Sequence, residues 1–497
     1  MLVKAAMFHR QILSKLATRS LVRNVSASSV PEMPPCDFKP QKYEGMTYSD
    51  AKKIRDNVLN PVINVVTFYK EPVMINQGHM QWLWDVYGKR YLDMFGGIVT
   101  VSVGHCHPKV NKALHDQIDR LWHTTNIYMY PQAHEYAQKL VSKLPGNLKV
   151  VMFVNSGSEA NDLALTMARL YTGCYDIISL RNAYHGMASS LFKLTAHSPW
   201  LYNLPSGFGI LNAMNADPYR GIWGGANCRD SPVQVDRQCD CAAGECQASD
   251  KYVDQVEDVL RHSAPKGKIG GIFLESIQGV GGSVQFPKGY IKKTFDLIRS
   301  RGGLCISDEV QTGFGRTGEH FWGFEAAGAM PDIVTMAKGI GNGFPLAAVV
   351  TTPEIAEVLG RANNFNTYGG NPMACAVGSK VLDVIDEENC QQVSHDVGTH
   401  CLTELAKLRD EFEIVGDVRG KGLMIGVEFV TDKESRKPLP ADKFIPIWET
   451  CKNMGVLLGK GGLYGNVLRI KPPMCITKAD VDFSVEVLRE AIRQNPV

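Results

Sequence analysis

Short apolar runs alternate with longer helix-patterned stretches through the middle of the chain: VVMFVN, DIISL, IGGIFLE, GGLCISD and DIVTMA each fit one buried strand. Strands separated by helices predict a mostly parallel sheet in an α/β fold. The pattern fills residues 99–370, the expected large domain. Before it, MINQGHMQWLWDVYGKRYLDMF reads as short β-hairpins turned at Gly78-His79 and Tyr87-Gly88, within a segment 41–98 that forms the N-terminal part of a small domain. After it, residues 371–497 carry a long helical pattern, a strand GKGLMIGVEFV and further helix, the C-terminal part of that small α/β domain. Residues 1–40 stand apart as a leader and a linker containing Pro31, Pro34, Pro35 and Pro40. The chain shows no solenoid-like repeat and no low-complexity tract.

Composition adds little to this beyond exclusions. With 497 residues and 44% hydrophobic positions the chain can bury a large core. A formal net charge of +2 offers no field that would select nucleic acid or an anionic membrane, so small molecules are the expected partners. No run of apolar residues is long enough to insert in a membrane. Thirteen cysteines without regular spacing do not make a disulfide framework, and a reducing compartment fits them better. The leader is different in kind. Lys4, Arg10, Lys15, Arg19 and Arg23 alternate with Leu2, Val3, Phe8, Ile12, Leu13, Leu16, Leu21 and Val22, and no acidic residue precedes Glu32, a transit-peptide pattern that predicts the mitochondrial matrix.

Ligands of open parallel sheets collect beyond the carboxyl ends of the strands, so the residues that directly follow the apolar runs carry the chemical interest. Ser156-Gly157-Ser158 follow one run and open a helix, where free amides and small residues can cradle an anion, although Ser158 could equally be an ordinary cap. Asp308 and Glu309 follow another, and carboxylates at such a place must be paired to stay charged. Gly313, Gly315 and Gly318 nearby match the dinucleotide spacing G-x-G-x-x-G, but no helix opens after them and that reading is rejected. Lys338 follows DIVTMA and enters a bend at Gly339, Gly341 and Gly343, where desolvation would lower its pKa and favour imine formation. Thr367, Gly369 and Gly370 precede a further helix and could meet an anion.

In their order and spacing NSGSEAN, YHG, ESIQG, SDEVQTGFGRTG, MAKGIGNGFP and TYGGNP, with GHCHP upstream and LRIKPP near the end, resemble the class III, or ω, aminotransferases. The resemblance runs from about residue 45 to the end. It implies the aspartate aminotransferase-like fold (PLP fold type I), pyridoxal 5'-phosphate (PLP) as cofactor, and transfer of amino groups between small amino acids and oxo acids. It also implies a homodimer at least, with a tetramer open. Lys338 then matches the Schiff-base lysine and proton carrier, and Asp308 the partner of the pyridine nitrogen. Gln311 matches the residue near the ring's 3-oxygen, Val310 the one beneath the ring, and Tyr184 the aromatic on its other face. Gly157 and Ser158 match phosphate ligands, Thr367 a threonine that reaches the phosphate from the neighbouring subunit, and Glu275 a glutamate near the cofactor.

Arg469 matches the arginine that grips a substrate carboxylate, and Ile98 a substrate-pocket position. In relatives that process ornithine or γ-aminobutyrate, a glutamate five residues after the Glu275 position can mask that arginine. Here the position is Val280. An open Arg469 favours L-alanine, or a β-amino acid such as β-aminoisobutyrate, as donor and glyoxylate or pyruvate as acceptor. The alternative reaction on the same cofactor is a phospho-lyase acting on a phosphorylated amine. Cys228, Cys239, Cys241 and Cys246 fall in one polar insertion whose spacing is not that of a zinc ribbon, so a flexible loop with free thiols and no metal is expected. His105, Cys106 and His107 read as a turn before a helix at Pro108, not as metal ligands.

Overall fold

The computed structural model describes residues 30–66, 69–205, 208–239, 241–242 and 246–497. The basic leader therefore lies almost wholly outside the described residues.

Near the N-terminus, β1 (Ile75–His79), β2 (Trp82–Asp85) and β3 (Arg90–Asp93) form an antiparallel meander. Its second turn falls where expected, with Gly88 at φ +81. The first turns at Met80-Gln81, two residues after the expected site. Gly78 stays within β1, where an added Cβ would meet His105 at 2.9 Å, so this glycine serves a close approach and not the turn.

The central sheet consists of β4 (Val150–Val154), β5 (Ile177–Leu180), β6 (Ile210–Ala213), β7 (Gly271–Glu275), β10 (Leu304–Asp308), β11 (Ile333–Met336) and β12 (Ala347–Thr351). They lie in the order β4-β12-β11-β10-β7-β5-β6, and β12 alone runs antiparallel. Each predicted apolar run is one of these strands, and the residues of β5, β7, β10, β11 and β12 are buried throughout. A two-stranded hairpin, β8 (Ile277–Gln278) with β9 (Val284–Gln285), follows β7.

The C-terminal sheet has β13 (Val415–Lys421), β14 (Met424–Phe429), β16 (Gly459–Gly461) and β17 (Val467–Ile470) in the order β13-β14-β17-β16. GKGLMIGVEFV, read from sequence as one strand, spans a hairpin turn between β13 and β14. Gly422 takes φ +55 there, and the turn carries no polar residue to announce it. The strand β15 (Val456–Leu457) pairs in parallel with β3, which ties the N-terminal meander to the C-terminal region.

The cysteine insertion departs from expectation. Cys228 is wholly enclosed and packs in a core with Tyr252, Tyr290 and Phe295, and partly buried Cys239 and Cys246 pack against that core. No helix among the described residues is long and apolar enough to cross a membrane.

Candidate active site

Strand register brings the site together. The pairings align Glu275 with Asp308 and Asp308 with Thr335, so the last residues of β7 and β10 stand side by side at the sheet's carboxyl edge. Lys338 follows β11 at the same edge, Tyr184 and His185 follow β5, and Ser156 follows β4. Between them lies a cleft of about 390 Å³ lined by Gly157, Ser158, Tyr184, Glu275, Asp308, Val310, Gln311 and Lys338.

Asp308 is buried and its carboxylate is fully directed. Oδ2 accepts from Asn161 Nδ2 and from His185 Nδ1, each at 2.8 Å, while Oδ1 accepts from the Val310 amide at 3.1 Å. Thr335 donates to the Asn161 amide oxygen at 2.7 Å, which fixes the amide with its NH2 toward Asp308. Asn161 is the fifth residue of the helix Gly157–Thr172, on its buried face. The neighbouring carboxylate has a different fate. Glu309 accepts from Ser276, Ser307 and Thr312 hydroxyls and from the Gly323 and Phe324 amides, sealed away from the cleft, and burial pushes its pKa up. Glu275 accepts from the Tyr184 and Gly279 amides at 3.1 and 2.7 Å. Its pKa is raised chiefly by burial and further by Asp308, with His185 opposing.

Lys338 takes φ +52, and among the described residues its amine has no hydrogen bond or ion pair. Burial lowers its pKa, an effect that the Asp308 and Glu275 charges partly offset. Ser156 caps the helix Gly157–Thr172 by accepting from the Glu159 amide, which leaves the first-turn amides without intrahelical partners. Close approach is built into this end of the cleft. A Cβ at Gly157 would meet the Val310 methyls at 3.2 and 3.3 Å, and one at Gly186 (φ +113) would meet Ser158 Oγ at 2.5 Å.

Arg469 and Ile98 line a second cavity, of about 690 Å³, with Val280, Phe95, His197 and Trp200. The two cavities adjoin, because Trp200 packs edge-on against Tyr184 at 5.2 Å. Arg469 pairs in register with Gly426 and Gly459, and a Cβ on Gly461 would come within 2.6 Å of its Nε. Its Nε donates to the Lys460 carbonyl at 3.1 Å, the guanidinium lies over the Phe95 ring at 4.9 Å, and buried Nη1 has no hydrogen-bond partner among the described residues. Burial brings its pKa down to about 10, against the pull of Glu275. Gly96 to Val99 all take positive φ, which is uncommon for β-branched Ile98 and Val99 and aims this segment at the cavity. Thr367 is exposed and lines neither cavity.

Asn161, His185 and Lys471 escaped the sequence reading as site residues, although NSGSEAN, YHG and LRIKPP contain them. Lys471 is fully buried, donates to Gln311 Oε1 at 3.0 Å and to the Gly279 carbonyl at 3.3 Å, and so turns the Gln311 amide.

The profile of the family "Aminotransferase class-III" matches residues 66–492. The chain belongs to the class III aminotransferases. It is 55% identical over 484 residues to the human protein "alanine–glyoxylate aminotransferase 2, mitochondrial", covering 97% of this chain and 94% of that one. Among solved structures it is similar to a phospholyase from Arthrobacter in complex with phosphoethanolamine (31% identity, TM-score 0.78, 90% of this chain and 100% of that one). A thermostable (S)-enantioselective omega-transaminase from Thermomicrobium roseum is similar at 30% identity and TM-score 0.79, over 91% of this chain and 99% of that one.

The cofactor of this family is PLP, and the cleft fits it. A glycine-lined helix start suits its phosphate, the buried Asp308 suits its ring cation, and the unpaired Lys338 amine suits its aldehyde.

Proposed function

We propose that this enzyme moves the amino group of L-alanine, or of a β-amino acid such as β-aminoisobutyrate, to glyoxylate or pyruvate in the mitochondrial matrix. The carrying observation is the buried Arg469 guanidinium with a free Nη1, in a wall where Val280 supplies no competing carboxylate. The name of the human relative and the acid-free basic leader support the substrates and the compartment.

PLP, when bound, supplies an electron sink that makes the substrate's Cα proton labile. Gly157, Ser158 and the first-turn amides would hold its phosphate, Asp308 its ring nitrogen, Val310 and Tyr184 its two faces, and Gln311 its 3-oxygen. His185 and Asn161 keep Asp308 pointed by donating to one of its oxygens. With Asp308 ionised, the proton shared with His185 sits on Nδ1. Lys338, desolvated and unpaired, holds its amine neutral more readily than a surface lysine does, and so can take a proton at Nζ and return it elsewhere. Arg469 receives the substrate carboxylate through its planar fork and sets which face of the substrate meets Lys338. Tyr184 and Trp200 close the apolar side against water.

Two further readings belong to this proposal. Thr367, exposed and outside its own cleft, would complete the phosphate site of a neighbouring subunit, so the working unit is a homodimer at least. The phospho-lyase reaction is the second reading, favoured by the likeness to the phosphoethanolamine-bound structure. Product analysis separates the two. Stoichiometric pyruvate from alanine supports transamination, whereas inorganic phosphate from phosphoethanolamine without amino transfer would replace it.

A further inference from the structure

The cysteine insertion lies outside the site described above, and three of its four sulfurs converge. The sulfurs of Cys228, Cys239 and Cys241 all lie within 4.8 Å of one another. Cys246, the fourth cysteine, lies beside Cys228 and near Cys241. A tetrahedral zinc ion with Zn–S bonds of about 2.3 Å places its sulfurs about 3.8 Å apart, so Cys228, Cys239 and Cys241 need only a small contraction, and Cys246 completes the shell by turning in.

The backbone around these sulfurs is arranged for thiolates. The Cys241 amide donates to Cys239 Sγ at 3.3 Å and the Gln247 amide to Cys241 Sγ at 3.4 Å. Neutral thiols are weak acceptors, whereas metal-bound thiolates are stabilised by such donors. Cys246 stands at the start of the helix Gln247–His262, whose positive end favours an anion there. Cys228 is wholly buried, and the Ala226 amide donates to the Arg237 carbonyl at 2.7 Å, closing the excursion that carries Cys228 and Cys239. All the cysteines are reduced, so no disulfide accounts for the cluster.

We propose that Cys228, Cys239, Cys241 and Cys246 bind one structural zinc ion. Zinc enters as the thiols lose their protons to solvent, giving a closed four-sulfur shell with no open position for chemistry. The role follows from what the insertion holds. Arg229, next to Cys228, makes a two-pronged pair with Asp417 on β13 at 2.8 and 2.9 Å. Gln285 on β9 donates to the Asp230 carbonyl at 2.9 Å, and the Lys288 amide to the Cys228 carbonyl at 2.8 Å. The ion would thus staple the insertion to the C-terminal sheet and to the β8–β9 hairpin, whose loop contains Val280.

The test is metal analysis of the full-length, cofactor-loaded protein after exhaustive dialysis, followed by titration with a mercurial reagent in the presence of a chromogenic chelator. The expected result is about one zinc per chain, released as the cluster's thiols are blocked. Protein grown with cobalt in place of zinc should show the intense visible absorption of tetrahedral Co(II) with sulfur ligands. The double variant Cys239→Ser, Cys241→Ser should lose the zinc. Three results would overturn the proposal: no stoichiometric metal in the unmodified protein, zinc fully retained by the double variant, or disulfides among these cysteines on non-reducing peptide mapping. The metal count on the unmodified protein decides the matter even if the double variant does not fold.

Discussion

Replacing Val280 with glutamate places a carboxylate in the wall that Arg469 shares. Val280 and Arg469 are close: a Cβ on Gly461 would lie 3.1 Å from the Val280 carbonyl and 2.6 Å from Arg469 Nε. Arg469 is already desolvated and Nη1 lacks a partner, so the cost of burying that cation has been met before the glutamate arrives. The new pair would compete with the substrate carboxylate for the same donors. Hydrogen bonds to charged groups contribute about 1.5–3 kcal/mol, so kcat/KM for L-alanine should fall by roughly 10–150-fold. The assay compares kcat/KM for L-alanine with that for a primary amine lacking a carboxylate. Masking should penalise alanine and spare the amine. Unchanged alanine turnover, or equal losses for both donors, would refute the open-arginine argument.

Other consequences are equally specific. Asp308→Asn removes the buried charge while leaving Asn161 and His185 in place; losing one partner of a buried pair costs roughly 3–5 kcal/mol, so PLP should dissociate during gel filtration, and full retention would contradict the role given to Asp308. Gly186→Ala forces a Cβ to 2.5 Å from Ser158 Oγ at φ +113, and strain of about 1–3 kcal/mol should weaken PLP binding roughly 5–150-fold in a fluorescence titration. Lys471 has its pKa held well below the ordinary lysine value, by burial first and by the Arg469 cation next. Unfolded, the same amine keeps its proton up to about pH 10.4, so between the two pKa values the unfolded chain binds the extra proton and stability rises with pH. Lys471→Met should flatten that rise, which is up to about 1.4 kcal/mol per pH unit, in urea midpoints measured between about pH 8 and 10; an unchanged slope would contradict it.

The strands and most of the cleft were legible because both follow from local rules. A fully apolar run is a buried strand, and the residue after it stands at the sheet's carboxyl edge, which is how Asp308 and Lys338 stood out. Asn161 and His185 were not legible from residue type, because their importance comes from a register that sets Asp308 between them. The β13–β14 hairpin was missed because its turn depends on Gly422 at positive φ and on no polar residue. Thr367 sits outside both cavities of its own chain, so nothing within one chain assigns it a role. The burial of Cys228 was not legible from the polar insertion around it, because it comes from packing against Tyr252, Tyr290 and Phe295, which lie further along the chain.

The most direct measurement of the central claim is the absorption spectrum of the purified enzyme before L-alanine, after it, and after glyoxylate. If Lys338 holds PLP and Arg469 admits alanine, the visible cofactor band disappears with alanine, pyruvate forms in equal amount, and glyoxylate restores the band. A cofactor band that alanine leaves untouched would contradict the proposed donor, and a protein that shows no such band after incubation with PLP would contradict the role of Lys338 itself.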